Sequence, residues 1–500
     1  MLYMKKSFLL IAGLAAGLLA VSSCSKGDYF GFGYYSENAY APDYTATENP
    51  EGGKFDTIVE NDFISTAEQP VSTFSVDADG ASYTWMRRCI GNKMLPSPNS
   101  VRIEEFINYF PFNYEEPSDG NTVALNAETG VCPWAPSHRL IRLGMQGKKL
   151  RDSEIPNANF VFLIDVSGSM ASEDKLDLLK SSLATMVETL RPQDRVSIIT
   201  YAGTVQKLLG STPASESSKI ISAIKKLSAS GSTSGGAAMK MAYEEALNNF
   251  IEGGNNRVIM GTDGDFNVGV TNNDALKEMV QDYAKKGIYL TVCGFGWGNL
   301  NDSMMETVSN AGNGTYEYIA NPDDMVKVFI RERGKFCSVA NDCKIQVSFN
   351  PETVAQYRLI GYENRKMSND DFENDEKDAA EIGAGQSITA LYEIVPVEGA
   401  AEGSPAKFDF RYKKSLGEES IPMSLDVPAT SETVSEDFYF AAAVAAYGMI
   451  LRGSQYRGSA DLATVVGLAE SGSKSFDPFG YRSTFIELVR KAIPMTLKNE

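Results

Sequence analysis

The sequence is poor in histidine and in basic side chains. It has one histidine, His138, in 500 residues, and 46 Lys and Arg residues against 65 Asp and Glu. A single imidazole excludes zinc sites built from several histidines and leaves almost no candidate for a Ser/His/Asp triad. The net charge of −19 repels phosphate backbones, so nucleic acid is not an expected partner. An active site in this chain is therefore expected to be oxygen-based or absent.

Long apolar runs are confined to the start of the chain. Two lysines precede the run SFLLIAGLAAGLLAV, which is too short to span a bilayer comfortably and is typical of a signal peptide. The run ends in VSSC, which resembles the bacterial lipobox, where the cysteine is acylated and becomes the new N-terminus. We predict a signal peptide over residues 1–23, a lipid anchor at Cys24 and an extracytoplasmic location on a membrane of the cell envelope. The alternative is an ordinary signal peptide followed by an incidental cysteine.

Five further cysteines follow Cys24, an odd number for a chain outside the cytoplasm. Two pairs are candidates for disulfides, Cys337 with Cys343 and Cys89 with Cys132. The sequence leaves their connectivity open.

The length predicts roughly two to four domains. Residues 24–70 lack a sustained period and are predicted to be a flexible linker. Residues 71–150 mix strand-like and helical patterns, which indicates an α+β flanking region. Over residues 158–333, short apolar runs alternate with helical patterns, which predicts a doubly wound, Rossmann-like α/β domain with a parallel sheet. Residues 342–500 are β-rich and close with terminal helices, so the fold class is a multidomain protein with a central α/β domain.

Oxygen-bearing side chains follow two of the predicted parallel strands. Asp165 closes the run FVFLID, Ser167 and Ser169 follow it, and Asp263 follows RVIMGT. The glycine-rich segment SASGSTSGG between them adds hydroxyls. Ligands of such sheets bind at the carboxyl ends of the strands, and hard oxygen donors suit Mg²⁺, Mn²⁺ or Ca²⁺. Taken alone, DxSxS also fits a helix N-cap without metal, and the glycine-rich segment lacks the Gly-Lys-Ser/Thr ending of a nucleotide loop.

The order DxSxS, a threonine in a glycine-rich loop and an Asp in TDG resembles the metal-ion-dependent adhesion site of von Willebrand factor type A domains. The resemblance implies a Mg²⁺ site, with Mn²⁺ or Ca²⁺ as substitutes, and a partner's carboxylate that completes the coordination. The implied ligands are Asp165, Ser167, Ser169, Thr233 and Asp263. Counting back from the following glycine pair without a gap places Ser232 at the threonine position; we favour Thr233 as the ligand and keep Ser232 as the alternative.

The flanking segments TFSVDADGASYTWMRR, CPWAPSHRLIRLGMQGK and DPFGYRSTFIELV resemble a bacterial subfamily with a type A domain between dedicated N- and C-terminal regions. The resemblance implies a protein-binding module without a defined reaction. We therefore expect a non-enzymatic, membrane-anchored adhesion or scaffold lipoprotein that binds a Glu or Asp of an unknown protein partner. One alternative is a structural assembly factor in which the metal only rigidifies the type A domain. A remoter one is a metal-dependent hydrolase centred on Asp165.

Overall fold

The computed structural model describes residues 52–118, 120–232, 235–264, 273–298, 300–400, 403–431 and 433–496. The predicted signal peptide, Cys24, most of the predicted linker and Thr233 lie outside these residues.

The strands are, in chain order, β1 (Ile64–Ser65), β2 (Val71–Ser75), β3 (Val123–Val131), β4 (Arg139–Gly147), β5 (Ala158–Asp165), β6 (Arg195–Tyr201), β7 (Val205–Pro213), β8 (Asn255–Thr262), β9 (Ile288–Phe295), β10 (Tyr316–Ile319), β11 (Ser338–Phe349), β12 (Val354–Ile360), β13 (Ile382–Gly383), β14 (Ser387–Pro396), β15 (Ala406–Lys413) and β16 (Ile421–Asp426). The α-helices are α1 (Ala81–Gly91), α2 (Ile103–Asn108), α3 (Leu178–Thr189), α4 (Ser217–Lys225), α5 (Gly236–Asn248), α6 (Asn273–Ala284), α7 (Asp302–Ala311), α8 (Pro322–Val326), α9 (Glu436–Arg452), α10 (Leu462–Ser471) and α11 (Tyr481–Thr496).

The central sheet has the order β10-β9-β8-β5-β6-β7. Its strands run parallel except β7, which pairs antiparallel with β6. Strands β5 and β8 lie side by side and are buried along their whole length, as expected for a parallel sheet covered on both faces. The predicted doubly wound α/β fold is confirmed. The edge strand β7 was not predicted, because its partly exposed, polar sequence lacks the apolar run of its neighbours.

The two flanking regions share their sheets. One sheet has the order β1-β12-β14-β4-β3, and in the other β11 pairs with β2 on one side and β15 on the other. Apolar residues of both sheets form one buried cluster, which includes Phe74, Ile141, Ile345 and Phe408. Strands that precede and follow the central domain in sequence therefore build one sandwich.

Helix α1 lies between two hydrophobic cores. Ala81, Trp85 and Cys89, spaced four residues apart, belong to a cluster with strands of the central sheet. Tyr83 and Met86 face a second cluster formed largely by helices α2, α9, α10 and α11. A helix with two apolar sides fixes the central domain against the C-terminal helices.

The candidate disulfides are not present. The five cysteines in the described part of the chain are all buried, and no disulfide joins them. Cys89 and Cys132 lie in different hydrophobic clusters, which explains why this pair does not meet. Across the described ranges, no helix combines the length and the apolar character needed to cross a membrane.

Candidate metal site of the central sheet

The DxSxS loop folds directly after β5. Asp165 ends the strand and is fully buried, and its Oδ1 accepts a hydrogen bond of 2.8 Å from the backbone N–H of Ser167. The hydroxyls of Ser167 and Ser169 lie 2.9 Å apart. The loop therefore gathers one carboxylate and two hydroxyls at the carboxyl end of a central strand, the edge at which such sheets bind ligands.

The neighbouring strand β8 supplies the second carboxylate. Thr262 ends this strand, and its hydroxyl donates to Asp165 Oδ2 at 3.3 Å. Asp263 follows and is fully buried. Burial raises the pKa of Asp165 to about 6, hydrogen bonds from Ser167 oppose the rise, and the charge of Asp263 adds to it. Two carboxylates that repel one another in a buried place favour a cation between them.

The glycine-rich segment lies against the DxSxS loop. The N–H of Ser230 donates to the carbonyl of Val166 at 2.7 Å, and the N–H of Gly168 donates to the carbonyl of Gly231 at 3.0 Å. The next residue, Ser232, is exposed. Because Thr233 lies outside the described residues, the preference for Thr233 over Ser232 stays a prediction.

A lysine also enters the site, and the sequence reasoning missed it. Lys175 lies in a π-helical turn, Glu173–Asp177, and is buried. Its ammonium donates to the carbonyl oxygen of Ser169 at 2.9 Å and to Asp263 Oδ2 at 3.0 Å. Gly296, at φ +90°, makes room for its stem, because a Cβ there would lie 2.2 Å from Lys175 Cε. Sequence periodicity could not predict this contact, because it depends on the position of the loop after β9 in the folded protein.

The donor set fits a hard divalent cation. Asp165, Asp263 and the hydroxyls of Ser167 and Ser169 are the oxygen types that Mg²⁺, Mn²⁺ and Ca²⁺ prefer. Asp263 already has the ammonium of Lys175 as a counter-charge. Binding of a metal to Asp263 would therefore compete with this lysine.

The flanking region contacts the loops around the site. Arg88 of α1 forms a 2.5 Å ion pair with Asp174, the neighbour of Lys175. Trp85 of the same helix stacks on Trp297, with ring centroids 4.9 Å apart, and Trp297 lies one residue after Gly296. The flanking helix thus supports both segments that position the lysine.

A second acidic group lies outside the predicted site. Oxygens of Asp77, Asp79 and Glu306 come within 4.8 Å of one another, and all three residues are buried. Arg365 occupies this group, with its guanidinium donating to Asp77 Oδ2 at 2.9 Å and to Glu306 Oε1 at 3.3 Å. The D-A-D spacing after β2 was a visible signal for two of these carboxylates, but Glu306 and Arg365 arrive from distant segments.

Three family models match the chain. The von Willebrand factor type A domain matches residues 159–329, a model described as von Willebrand factor matches residues 49–142, and one described as "Uncharacterized protein YfbK, C-terminal" matches residues 334–409 and 403–495. The central α/β domain is thus a type A domain with a dedicated region on each side.

Relatives extend over different shares of the chain. The chain is 37% identical over 478 residues to YfbK of Escherichia coli (strain K12), which covers 90% of this chain and 83% of that protein. It is 30% identical over 192 residues to human inter-alpha-trypsin inhibitor heavy chain H3, covering 33% of this chain and 21% of that protein. Among solved structures, a von Willebrand factor type A protein from Catenulispora acidiphila aligns with a TM-score of 0.43 and 15% identity, covering 75% of this chain and 91% of that one. The identity to YfbK over most of both chains shows that this chain belongs to the YfbK family of bacterial proteins with a von Willebrand factor type A domain.

Proposed function

We propose that this protein is a non-enzymatic adhesion or scaffold lipoprotein of the cell envelope. Its type A domain would bind a divalent cation, Mg²⁺ in the first instance, through Asp165, Ser167, Ser169, Asp263 and a hydroxyl of Thr233 or Ser232. Its partner would be a protein that offers a Glu or Asp carboxylate. The observation that carries the proposal is the meeting of DxSxS and Asp263 at the carboxyl ends of two adjacent strands.

The chain's own residues hold the site in a form suited to an outside carboxylate. Ser167 and Ser169 contribute neutral oxygens, so the site has fewer negative charges than a cage made of carboxylates alone. Gly168 and Ser232, neighbours of the ligands in sequence, are exposed, whereas Asp165, Ser167 and Asp263 are buried. When bound, the metal would supply the positive charge that attracts the partner's carboxylate.

The lipid anchor at Cys24 and the extracytoplasmic location are part of the same proposal. They rest on the signal-like run and the VSSC sequence. An anchor of more than one acyl chain gives stable membrane attachment.

Metal titration tests the proposal. Thermal unfolding should shift upward with Mg²⁺ or Mn²⁺, because a metal at ten times its Kd contributes about 1.4 kcal/mol. Asp165→Ala and Ser169→Ala should each remove this stabilisation, and each should abolish Mg²⁺-dependent binding of a poly-glutamate peptide. The matched control is Asp152→Ala, since Asp152 is an exposed carboxylate that pairs with Arg333 at the surface. Metal stabilisation that persists in both site variants would contradict the proposed ligands.

A second function is favoured by the contacts of α1 with the loops around the site. In a structural assembly factor, the metal would rigidify the type A domain against its flanking region, through segments such as Asp174 and Trp297. Metal stabilisation without carboxylate binding in the same experiment would favour this reading.

A further inference from the structure

A cavity of about 570 Å³ lies apart from the predicted metal ligands, where the N-terminal segment 56–64 meets other parts of the fold. The lining also includes Ser72 of β2, Glu104 of α2, Glu306 of α7, the end of β12 and the loop after it. The volume lies in the range of small-molecule sites.

The lining carries more carboxylates than cations, and two arginines outside the lining already pair with part of this charge, Arg452 with Glu363 and Arg365 with Glu306. The lining includes two basic residues, Arg102 and Lys366, and Arg102 is already bound to Glu105 and to both carboxylate oxygens of Asp302. The carboxylates of the lining are Asp56, Glu60, Asp62, Glu104, Glu306 and Glu363. A ligand of this cavity is therefore expected to carry positive charge.

Among the residues that the structure describes, no donor reaches three buried oxygens of the lining. They are Asn61 Oδ1, Glu104 Oε2 and Glu306 Oε2, on side chains that are 7%, 1% and 7% exposed. The NH₂ group of Asn61 donates to the carbonyls of Leu359 and Gly361, which fixes the orientation of the amide. The amide oxygen of Asn61 is then the atom that still needs a hydrogen-bond donor. Buried acceptors without donors are costly, and each of these three lies on a residue that lines the cavity. They call for a ligand that brings hydrogen-bond donors.

The other lining residues favour an organic cation over a metal ion. Ile58, Val59 and Ile64 give the cavity an aliphatic wall, and Val59 is 78% exposed. Aliphatic side chains cannot coordinate a metal ion, whereas the alkyl chains that carry ammonium and guanidinium groups pack on apolar surface. Within the described ranges, one group of three carboxylates is close enough to hold a metal, and Arg365 already occupies it.

We propose that this cavity binds an alkyl cation, with Glu104 and Glu306 pairing with an ammonium or guanidinium group and Val59 covering its aliphatic stem. The group belongs either to a Lys or Arg side chain of a protein or to a free polyamine. The proposal does not depend on the metal site. Burial, with the charges of Glu363 and Asp77, raises the pKa of Glu104 to about 8, which is consistent with a carboxyl that lacks a sufficient counter-charge.

Calorimetric titration of the purified protein with spermidine, and separately with a short acetylated Lys-Arg peptide, tests the proposal. EDTA in the buffer keeps the type A site out of the measurement. Saturable binding of either probe is expected, weakened about tenfold or more by Glu104→Gln, because a charge-assisted hydrogen bond is lost. Glu104→Gln keeps the shape of the side chain, and Val59→Ser tests the aliphatic wall without changing charge. Each variant is first shown to unfold cooperatively.

Glu116→Gln serves as the matched control, because Glu116 is an exposed carboxylate paired with Lys149. It should bind both probes as the wild type does. Binding of spermidine alone assigns the site to a free polyamine, and binding of the peptide assigns it to a basic side chain. The proposal is overturned if neither probe binds saturably, if Glu104→Gln binds as the wild type does, or if Ca²⁺ but no amine binds in a Glu104-dependent manner in buffer without EDTA.

Discussion

Glu104 links the pH of the solution to the stability of the fold. Its side chain is 1% exposed, and burial together with Glu363 and Asp77 raises its pKa to about 8, while Arg452 opposes the rise. A carboxyl whose pKa is higher in the folded than in the unfolded state binds a proton on folding. Its stabilising contribution is full below the ordinary pKa of a glutamate and is lost as the pH rises towards 8.

Glu104→Gln should therefore reduce the dependence of stability on pH. The variant's free energy of unfolding relative to the wild type should rise by roughly 1–3 kcal/mol between pH 5.5 and pH 8.5. Urea unfolding of both proteins at the two pH values measures this difference, and groups that titrate alike in both proteins cancel. A difference that stays constant with pH would mean that the folded protein holds Glu104 with an ordinary pKa.

For individual residues, the sequence motifs identified candidate ligands but not the side chains whose contacts are with residues far along the chain. Asp165, Ser167, Ser169 and Asp263 were visible because they follow apolar strand runs. Lys175 and Glu104 were not, because their importance comes from burial and from neighbours far along the chain. Lys175 reaches Asp263 from 88 residues away.

Arg365 ties three separate elements together. Its guanidinium donates to Asp77 and Asp79 after β2 and to Glu306 of α7, while Arg365 itself follows β12. Burial together with Asp77 and Glu306 raises the pKa of Asp79 well above its ordinary value, and Arg365 opposes this. The sandwich and the type A domain therefore meet at this buried cation, and Arg102, which binds Asp302 of α7, is a second buried contact between the flanking region and the type A domain.

Arg365→Met should destabilise the protein by about 3–5 kcal/mol, because it leaves buried carboxylates without their cation. Chemical denaturation measures the loss. Arg490→Met is the control, since Arg490 pairs with Glu470 at the surface with both side chains more than half exposed, and it should cost at most about 1 kcal/mol. Similar losses in the two variants would contradict the role assigned to Arg365.

Local patterns predicted elements well where one feature dominated. Within residues 71–150, the helical pattern that begins at Ala81 corresponds to α1, and the apolar spacing after Asn99-Ser100 corresponds to α2. The edge strand β7 was not predicted, because its polar, partly exposed sequence has no continuous apolar run. That α1 has two buried sides could be read from its apolar positions, but the elements that cover each side could not.

The whole molecule shows most clearly what a linear pattern hides. The sequence patterns of residues 71–150 and 342–500 indicate separate regions. In the structure, however, β4 pairs with β14, with Ile141 opposite Tyr392, and β2 pairs with β11, with Phe74 opposite Ile345. Alternating patterns indicate that a segment is a strand, but they do not identify its partner when a whole domain lies between the two. The type A domain is thus inserted into a sandwich whose halves come from both sides of it.

This topology predicts that the C-terminal region cannot fold alone. A fragment of residues 338–496 lacks β2 and β4, so β11 and β14 each lose a partner, and apolar residues such as Ile345 and Leu391 become exposed. The fragment should lack a cooperative thermal transition and should aggregate, whereas coexpression with residues 52–157 should give a soluble complex with such a transition. Circular dichroism and size-exclusion chromatography distinguish the two outcomes.

The matched control is coexpression of 338–496 with residues 52–157 that carry Phe74→Asp and Ile141→Asp. This pair should not form a soluble complex, because the two charges would lie in the shared core. Cooperative unfolding of 338–496 alone would show that the C-terminal strands form a stable sheet without the N-terminal ones.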